Sequence, residues 1–292
     1  MSSLTEDAIE KMVLDELHAL GWQTVFGPDI APDGPWPERG RYSDVVLVGR
    51  LREALERINP ELPPVAIEEA LRQVLTSESP AIVENNRRFH RLLTDGVDVS
   101  WMGPEGEKHG KVWLLDIDHP ENNDWLAVNQ FTVVENKKER RPDIVLFVNG
   151  LPLVVVELKN PGAVQASLRS AFNQLQTYKE EIPSLFAYNE LLMISDGMQA
   201  RFGTLTSGWD RFMPWRTIDG TDLYREPGNE KQSEGVLQAG ITTLLRGMLE
   251  PRRFLDYVLN FITFEDNGGG TADIAKKAAG YYSPDGAPGD NA

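Results

Sequence analysis

Three side chains that could take part in a chemical reaction lie at the two ends of one largely apolar stretch: Asp143, Glu157 and Lys159. Two carboxylates that converge form a hard oxygen site of the kind that Mg²⁺ prefers. A metal ion bound there can lower the pKa of a water molecule and offset the charge of a phosphate diester. The carbonyl of Leu158 is a candidate third ligand, and the ammonium of Lys159 would orient or activate the water and counter charge in the transition state.

The stretch between these charges predicts the hairpin that brings them together. Its two β-branched runs are separated by Asn149-Gly150, a strong signal for an antiparallel hairpin. With a plain two-residue turn, Asp143 and Glu157 would not be paired, and Glu157 would face away from Asp143. One additional residue, in a three-residue loop or in a bulge beside Pro152, would place them directly opposite each other, with Lys159 on the same face. The competing interpretation is a salt bridge that merely closes the hairpin.

Composition restricts the class of protein. The 292 residues include no cysteine, so a disulfide framework and a thiolate metal site are both excluded. No apolar run has the length of a membrane span, and the first residues lack the apolar segment of a signal peptide, so we expect a cytoplasmic protein. The net charge of −16 argues against a protein that coats nucleic acid by itself. A local basic strip, residues 137–141, is a candidate for phosphate contacts or a solvated loop.

The order of predicted elements indicates an α/β fold with a central mixed sheet flanked by helices. Helices are expected at 4–20, 51–58, 63–76, 85–93, 163–179, 235–248 and 251–264, and strands at 45–48, 111–116, 125–134, 191–195 and 201–205, in addition to the hairpin. Gln174 and Tyr178, four residues apart, share one face of the helix after the hairpin. We expect one domain over residues 1–265 and a flexible tail over 266–292. A boundary near 103–110 is the alternative.

The motif and its surroundings resemble a known family. Pro142-Asp143 followed by Glu157-Leu158-Lys159 resembles the PD-(D/E)xK nuclease motif. The full wording of residues 141–153 and 156–161 is similar to the N-terminal nuclease domain of the R (restriction and translocation) subunit of type I restriction enzymes. Gln174 to Tyr178 matches that family's Gln-x-x-x-Tyr motif, and further similarities lie at 42–47, 189–197 and 211–216. The resemblance covers about residues 1–265.

The resemblance implies a restriction-endonuclease-like core and a metal-dependent endonuclease that cleaves DNA. It implies that Asp143 and Glu157 bind the metal, Mg²⁺, that Lys159 is catalytic, and that Gln174 and Tyr178 support cleavage or contact DNA. The implied partners are double-stranded DNA, methylation and specificity subunits, and an ATP-driven motor domain of the same subunit, with no membrane. This chain contains no Gly-x-x-x-x-Gly-Lys-Ser/Thr sequence, so ATP is expected only in that motor, toward which residues 266–292 would lead.

Two other functions stay open at this point. One is a non-catalytic docking module of nuclease fold, and the other is a stand-alone nuclease of the same superfamily. Glu6 and Glu10, four residues apart on the first helix, are either solvated or near the metal, as first-helix glutamates are in some nucleases of this superfamily. Asp116, Asp118 and His119 suggest a loop rather than a metal site, because no second histidine or repeated spacing accompanies them.

Overall fold

A computed structural model describes residues 5–104, 106–160, 164–220, 239–266, 268–269 and 273–280. The strands are β1 Gln23–Phe26, β2 Val97–Gly103, β3 Gly106–Val112, β4 Trp125–Asn129, β5 Val133–Glu135, β6 Lys138–Arg140, β7 Ile144–Val148, β8 Leu151–Leu158, β9 Leu191–Ser195, β10 Ala200–Gly203, β11 Ile262–Asp266 and β12 Ile274–Ala278. The helices are α1 Glu6–Ala19, α2 Val48–Ile58, α3 Pro64–Leu75, α4 Ile82–Asp95, α5 Val164–Glu181, α6 Pro183–Phe186, α7 Gly240–Met248 and α8 Pro251–Asn260.

Six strands form one mixed sheet in the order β1-β4-β7-β8-β9-β10. Strands β7 and β8 lie at its centre, which explains why both are buried along their whole length and read as continuous apolar runs. The crossover from β8 to the parallel β9 is made by α5, which packs on both strands. The predicted α/β fold with a central mixed sheet flanked by helices is confirmed.

The central hairpin has the predicted offset. Asn149 and Gly150 both have positive φ, 53° and 76°, and form the two-residue turn. Val148 pairs with Leu151, but from Leu146 and Val154 onward the register has shifted by one residue. The residue left over is Leu153, directly after Pro152, so the bulge lies where the proline breaks the ladder. Continued one residue past Ile144 and Val156, this register places Asp143 opposite Glu157.

The first helix follows its sequence signals. Thr5 caps α1 by accepting a hydrogen bond from the Ala8 N–H, and Ile9, Val13 and Leu17 form its buried stripe. Because Glu6 and Glu10 lie off this stripe, their side chains stay outside the core. Helix α1 contacts β1, β4 and β8, and the first-helix acids therefore lie near the end of the central strands.

Three predicted strands differ from the structure. Residues 45–47 are buried but form no strand; the N–H of Leu47 donates to the carbonyl of Gly150, and α2 begins at the next residue. The strand expected at 111–116 ends at Val112, because it belongs to the β2-β3 hairpin. The strand expected at 125–134 is interrupted at Gln130, whose φ of 57° turns the chain out of the sheet.

The segment expected to be a flexible tail contains an ordered element. Strand β12 pairs with β11, and its Lys276 side chain is fully buried, with Nζ 2.7 Å from Glu190 Oε2. His90 Nδ1 lies 2.9 Å from the same Glu190 oxygen. The buried ion pair and the pairing of β12 with β11 explain why these residues have a defined structure. The boundary of the domain itself stays a prediction, and residues 281–292 lie outside the described part of the chain.

Among the described residues, none of the helices combines the length and apolar character that crossing a membrane requires. The longest of them, α5, has 18 residues with charged side chains along it.

Candidate active site

The structure brings Asp143, Glu157 and Lys159 together where β7 begins and β8 ends. Asp143 Oδ2 accepts a hydrogen bond of 2.7 Å from the Leu158 N–H, which ties the two strands together at this point. Lys159 Nζ lies 2.7 Å from Glu157 Oε1 and 2.9 Å from the Leu158 carbonyl oxygen. Glu157 and Lys159 thus form a salt bridge, but both residues lie on the β8 side of the hairpin, so this bridge does not join the two strands. It leaves Asp143 Oδ1 and Glu157 Oε2 without a partner among the described residues.

Burial governs the protonation of this pair. Desolvation raises the pKa of Asp143 to about 6, although the Leu158 N–H and Lys159 act in the opposite direction. Desolvation and the neighbouring Asp143 charge raise the pKa of Glu157 to about 8. The pKa of Lys159 is also raised: burial opposes its charge, but attraction to Glu157 and Asp143 outweighs burial. The two carboxyl groups thus bind protons more readily than exposed ones do, and a cation held between them would compensate the cost of burying their charges.

Helix α5 places both Gln174 and Tyr178 beside this pair. Gln174 Nε2 donates to Tyr178 Oη at 2.5 Å. Tyr178 is buried and lies close enough to Glu157 for each group to shift the pKa of the other, and its own pKa is raised chiefly by desolvation. The predicted shared face is confirmed in position: the pair packs against the glutamate, while its contribution to cleavage or DNA contact stays a prediction.

The first-helix acids also reach the site. Glu6, Asp7 and Glu10 line one pocket of about 190 Å³ together with Asp143 and Leu158. Glu6 and Glu10 contribute to the raised pKa of Asp143, so their charges act on that carboxylate. Glu6 and Glu10 were expected either to be solvated or to lie near the site, and the structure favours the position near the site. Helix spacing placed them on one face, but only the packing of α1 on the sheet placed that face here.

The carboxylate of Glu10 is held by residues that sequence reasoning did not single out. Its two oxygens accept hydrogen bonds from Asn129 Nδ2 at 2.7 Å and Gln130 Nε2 at 2.5 Å. The backbone N–H of Gln130 donates to the carbonyl of Asp143. The end of β4 therefore positions both a first-helix acid and the start of β7. No sequence signal marked this arrangement, because Asn129 and Gln130 were both predicted to lie inside one strand over 125–134.

The basic strip, residues 137–141, divides into two parts. Lys138 and Arg140, on β6, both lie against Glu181 at the end of α5. Arg141 instead lines the pocket of the carboxylates. The strip is thus neither a uniform phosphate surface nor only a solvated loop.

The carboxylate oxygens of Asp143 and Glu157 are the ligand type that a hard divalent cation prefers. Within the part of the chain that the structure describes, no group of three or more His, Cys, Asp or Glu side chains is close enough together to hold a metal ion. Two carboxylates, one of them with a buried oxygen that lacks a partner, match the sparse protein ligation that Mg²⁺ accepts while keeping several waters. Asp116 instead accepts bonds from the His119 N–H and from Asn122, so that segment forms a loop as expected.

The mixed six-stranded sheet with flanking helices, and the carboxylates and lysine at the ends of its central strands, define a protein of restriction-endonuclease-like fold. The sequence profile described as "Type I restriction enzyme R protein N terminus" matches residues 3–211. The chain belongs to this family.

Relatives agree with this assignment. The chain is 40% identical over 280 residues to the "Type I restriction enzyme HindI endonuclease subunit" of Haemophilus influenzae, covering 96% of this chain and 26% of that protein. It is 29% identical over 185 residues to the "Type I restriction enzyme EcoprrI endonuclease subunit" of Escherichia coli, covering 60% and 56%. A Staphylococcus aureus endonuclease subunit, SauMSSORF170P, is 28% identical over 181 residues, covering 55% and 19%. The chain thus spans about a quarter of the Haemophilus relative.

Proposed function

We propose that this chain is the endonuclease part of a type I restriction enzyme R subunit and that it cleaves DNA phosphodiester bonds by metal-dependent attack of water. The observation that carries the proposal is the convergence of Asp143 and Glu157, each with a free carboxylate oxygen, beside the ammonium of Lys159. Membership of the R protein family supports it. The relatives, named as endonuclease subunits, support it as well.

Asp143 and Glu157 are the residues that would hold the divalent cation, for which we propose Mg²⁺. When bound, such a cation lowers the pKa of water and neutralises charge on the phosphate. The register of the hairpin matters because it aligns the two carboxylates without a side-chain rearrangement. The N–H of Leu158 orients Asp143 by bonding one oxygen and leaving the other free.

Lys159 is the proposed catalytic cation of the chain. Its ammonium lies against Glu157 Oε1 and the Leu158 carbonyl oxygen, beside the carboxylates. From this position it would donate to a phosphate oxygen that gains charge in the transition state. Its raised pKa keeps it protonated for that task.

Tyr178 and Gln174 are proposed to support the site through Glu157. Tyr178 is buried beside the glutamate, and the amide of Gln174 donates to its hydroxyl oxygen. This leaves the Tyr178 hydroxyl proton available for an acceptor, and Glu157 is the carboxylate in reach. The pair would fix the orientation of Glu157 and thereby the affinity for the cation.

The proposed partners are double-stranded DNA, the methylation and specificity subunits, and an ATP-driven motor of a longer polypeptide. The share of the relatives that the chain covers supports a longer polypeptide. The Lys276 and Glu190 ion pair, with the β11-β12 hairpin, would then anchor the segment that leads from the nuclease core.

The test combines cleavage with metal binding. Asp143→Asn, Glu157→Gln and Lys159→Met are each compared with the unaltered chain for nicking of supercoiled plasmid in Mg²⁺, alone and in the assembled restriction enzyme. Mn²⁺ binding is measured on the same proteins. The matched control is Glu56→Gln, an exposed acid on α2. We expect loss of cleavage in all three variants, and loss of Mn²⁺ binding in the two carboxylate variants only.

The outcomes separate the alternatives. Cleavage at the unaltered rate by Asp143→Asn and Lys159→Met would refute the proposed site. Absence of Mn²⁺ binding that depends on the two carboxylates would favour a docking module of nuclease fold. Cleavage by the 292-residue chain without ATP or partners would favour a stand-alone nuclease.

A further inference from the structure

Arg141 is an exposed arginine at the mouth of the carboxylate pocket. It lines that pocket with Asp143 and Leu158, and it directly precedes Pro142, whose ring restricts the backbone before Asp143. Among the described residues its guanidinium makes no hydrogen bond and no ion pair. An unpaired arginine beside several acids is unexpected, because each nearby carboxylate is a potential partner.

The acids of the pocket either accept hydrogen bonds from other residues or lie too far from the Arg141 guanidinium to pair with it. Both oxygens of Glu10 accept bonds from Asn129 and Gln130, and one oxygen of Asp143 accepts from Leu158. None of the acids of the pocket lies within 4.0 Å of the guanidinium. The five donors of Arg141 are therefore available to a ligand.

Two other cations of the basic strip are arranged differently. Lys138 and Arg140 both pair with Glu181, which holds β6 against the end of α5. The backbone that leads to Arg141 is thus anchored, while the Arg141 side chain is exposed. The anchored backbone keeps this guanidinium beside the pocket, where it is available to an anion.

The charge of the surroundings makes such a contact necessary for DNA. The chain carries a net charge of −16, and Glu6, Asp7, Glu10 and Asp143 line the same pocket. A DNA strand that approaches this pocket meets like charge, and a planar guanidinium is the side chain that pairs best with a phosphate. Two residues of extended chain between Arg141 and Asp143 span about 7 Å. The guanidinium of Arg141 would therefore meet a backbone phosphate close to the scissile one.

We propose that Arg141 is a DNA-binding residue that holds a backbone phosphate beside the scissile phosphodiester and so sets which bond lies at the carboxylates. This inference rests on the proposed endonuclease function and names the contact that positions its substrate. It assigns no base recognition to Arg141, because a phosphate contact carries no sequence information.

The experiment measures binding separately from cleavage. Fluorescence anisotropy of a labelled DNA duplex is followed with the 292-residue chain in Ca²⁺, with gels confirming that the duplex stays intact. Unaltered chain, Arg141→Ala and Arg141→Lys are titrated at several salt concentrations. The matched control is Arg91→Ala, an exposed arginine on α4 that does not line the pocket. Plasmid cleavage in Mg²⁺ is then measured with the assembled restriction enzyme as a function of DNA concentration.

We expect Arg141→Ala to weaken binding about ten-fold, the effect of one charged hydrogen-bonding contact. The slope of log affinity against log salt should fall in magnitude by about 0.9, the value for one phosphate contact. Arg141→Lys should recover the slope but only part of the affinity, and Arg91→Ala should match the unaltered chain. In cleavage, Arg141→Ala should raise KM more than it lowers kcat.

Two results would overturn the inference, in distinguishable ways. If the assembled enzyme with the unaltered chain cleaves DNA but Arg141→Ala changes neither the affinity and salt slope of the chain nor the KM of the assembled enzyme, the proposed function stands and the role of Arg141 is refuted. If the assembled enzyme with the unaltered chain cleaves no DNA in Mg²⁺, the proposed function fails and the contact fails with it.

Discussion

Replacing Asp143 by Asn should make the metal-free protein more stable, because the site holds a carboxylate in surroundings that disfavour its charge. Burial raises the pKa of Asp143 from 3.8 to about 6. The folded protein therefore binds this proton more tightly than the unfolded chain does. The resulting cost is absent below pH 3.8, grows as the pH rises to about 6, and is fully present above it.

The magnitude follows from the same values. A tenfold change in an ionisation constant corresponds to about 1.4 kcal/mol, so the rise in the pKa of Asp143 corresponds to about 3 kcal/mol. Asn keeps an oxygen that can accept from the Leu158 N–H, so the substitution removes the charge without removing this hydrogen bond. We therefore expect Asp143→Asn to raise the free energy of unfolding by up to about 3 kcal/mol at pH 8.

Urea denaturation followed by tryptophan fluorescence, in EDTA at pH 4 and pH 8, measures this effect. The gain should be present at pH 8 and small at pH 4, and Glu56→Gln should change stability by less than about 0.5 kcal/mol at either pH. Addition of Mg²⁺ should stabilise the unaltered chain and not the Asn variant, since only a protein that binds a ligand is stabilised by it. An Asn variant that is no more stable than the unaltered chain at pH 8 in EDTA would refute the reasoning.

Three other expectations concern the site and the fold. Affinity for Mn²⁺ should rise from pH 6 to pH 8.5 in a titration, because protons compete for carboxylates whose pKa values are about 6 and about 8; a constant affinity would contradict the assignment. Lys276→Met should lower the free energy of unfolding by about 3 to 5 kcal/mol in urea, since it leaves Glu190 buried without its ammonium partner, and the double variant with Glu190→Gln should recover part of the loss. Gly150→Ala should lower the thermal midpoint, because a Cβ would lie 2.4 Å from the Leu47 carbonyl oxygen at a φ of 76°; Gly268→Ala, also at positive φ but with open space around it, should lower it less.

The two carboxylates that we propose as metal ligands show how much of a site local sequence can predict. Asn149-Gly150 dictates a turn with two positive φ values, Pro152 cannot donate to the ladder, and the two together make a bulge the way to oppose Asp143 and Glu157. The turn and the bulge depend only on neighbouring residues. Both could therefore be predicted, because the hairpin forms from contacts between residues that are close in the sequence.

Elsewhere the same reasoning failed for a physical reason. Residues 45–47 are apolar and two of them are β-branched, but a loop buries them just as well, and the Gly150 carbonyl accepts the hydrogen bond of the Leu47 N–H. Strand β1 was not predicted at all, because its four residues are largely exposed and its partner β4 lies about a hundred residues away. Short edge strands carry little periodicity, and only the sheet they join defines them.

By itself the sequence determined the family, the central hairpin with its offset, and the three residues proposed for catalysis, because all of these depend on short spacings and on residue types. Tertiary structure alone decided that Glu6 and Glu10 border the site, that Lys276 is buried against Glu190, and that Arg141 lines the carboxylate pocket while Lys138 and Arg140 pair with Glu181. Each of those depends on which elements pack together over long separations in the chain. Ion pairs between residues that are far apart in the chain leave no periodic pattern in the sequence.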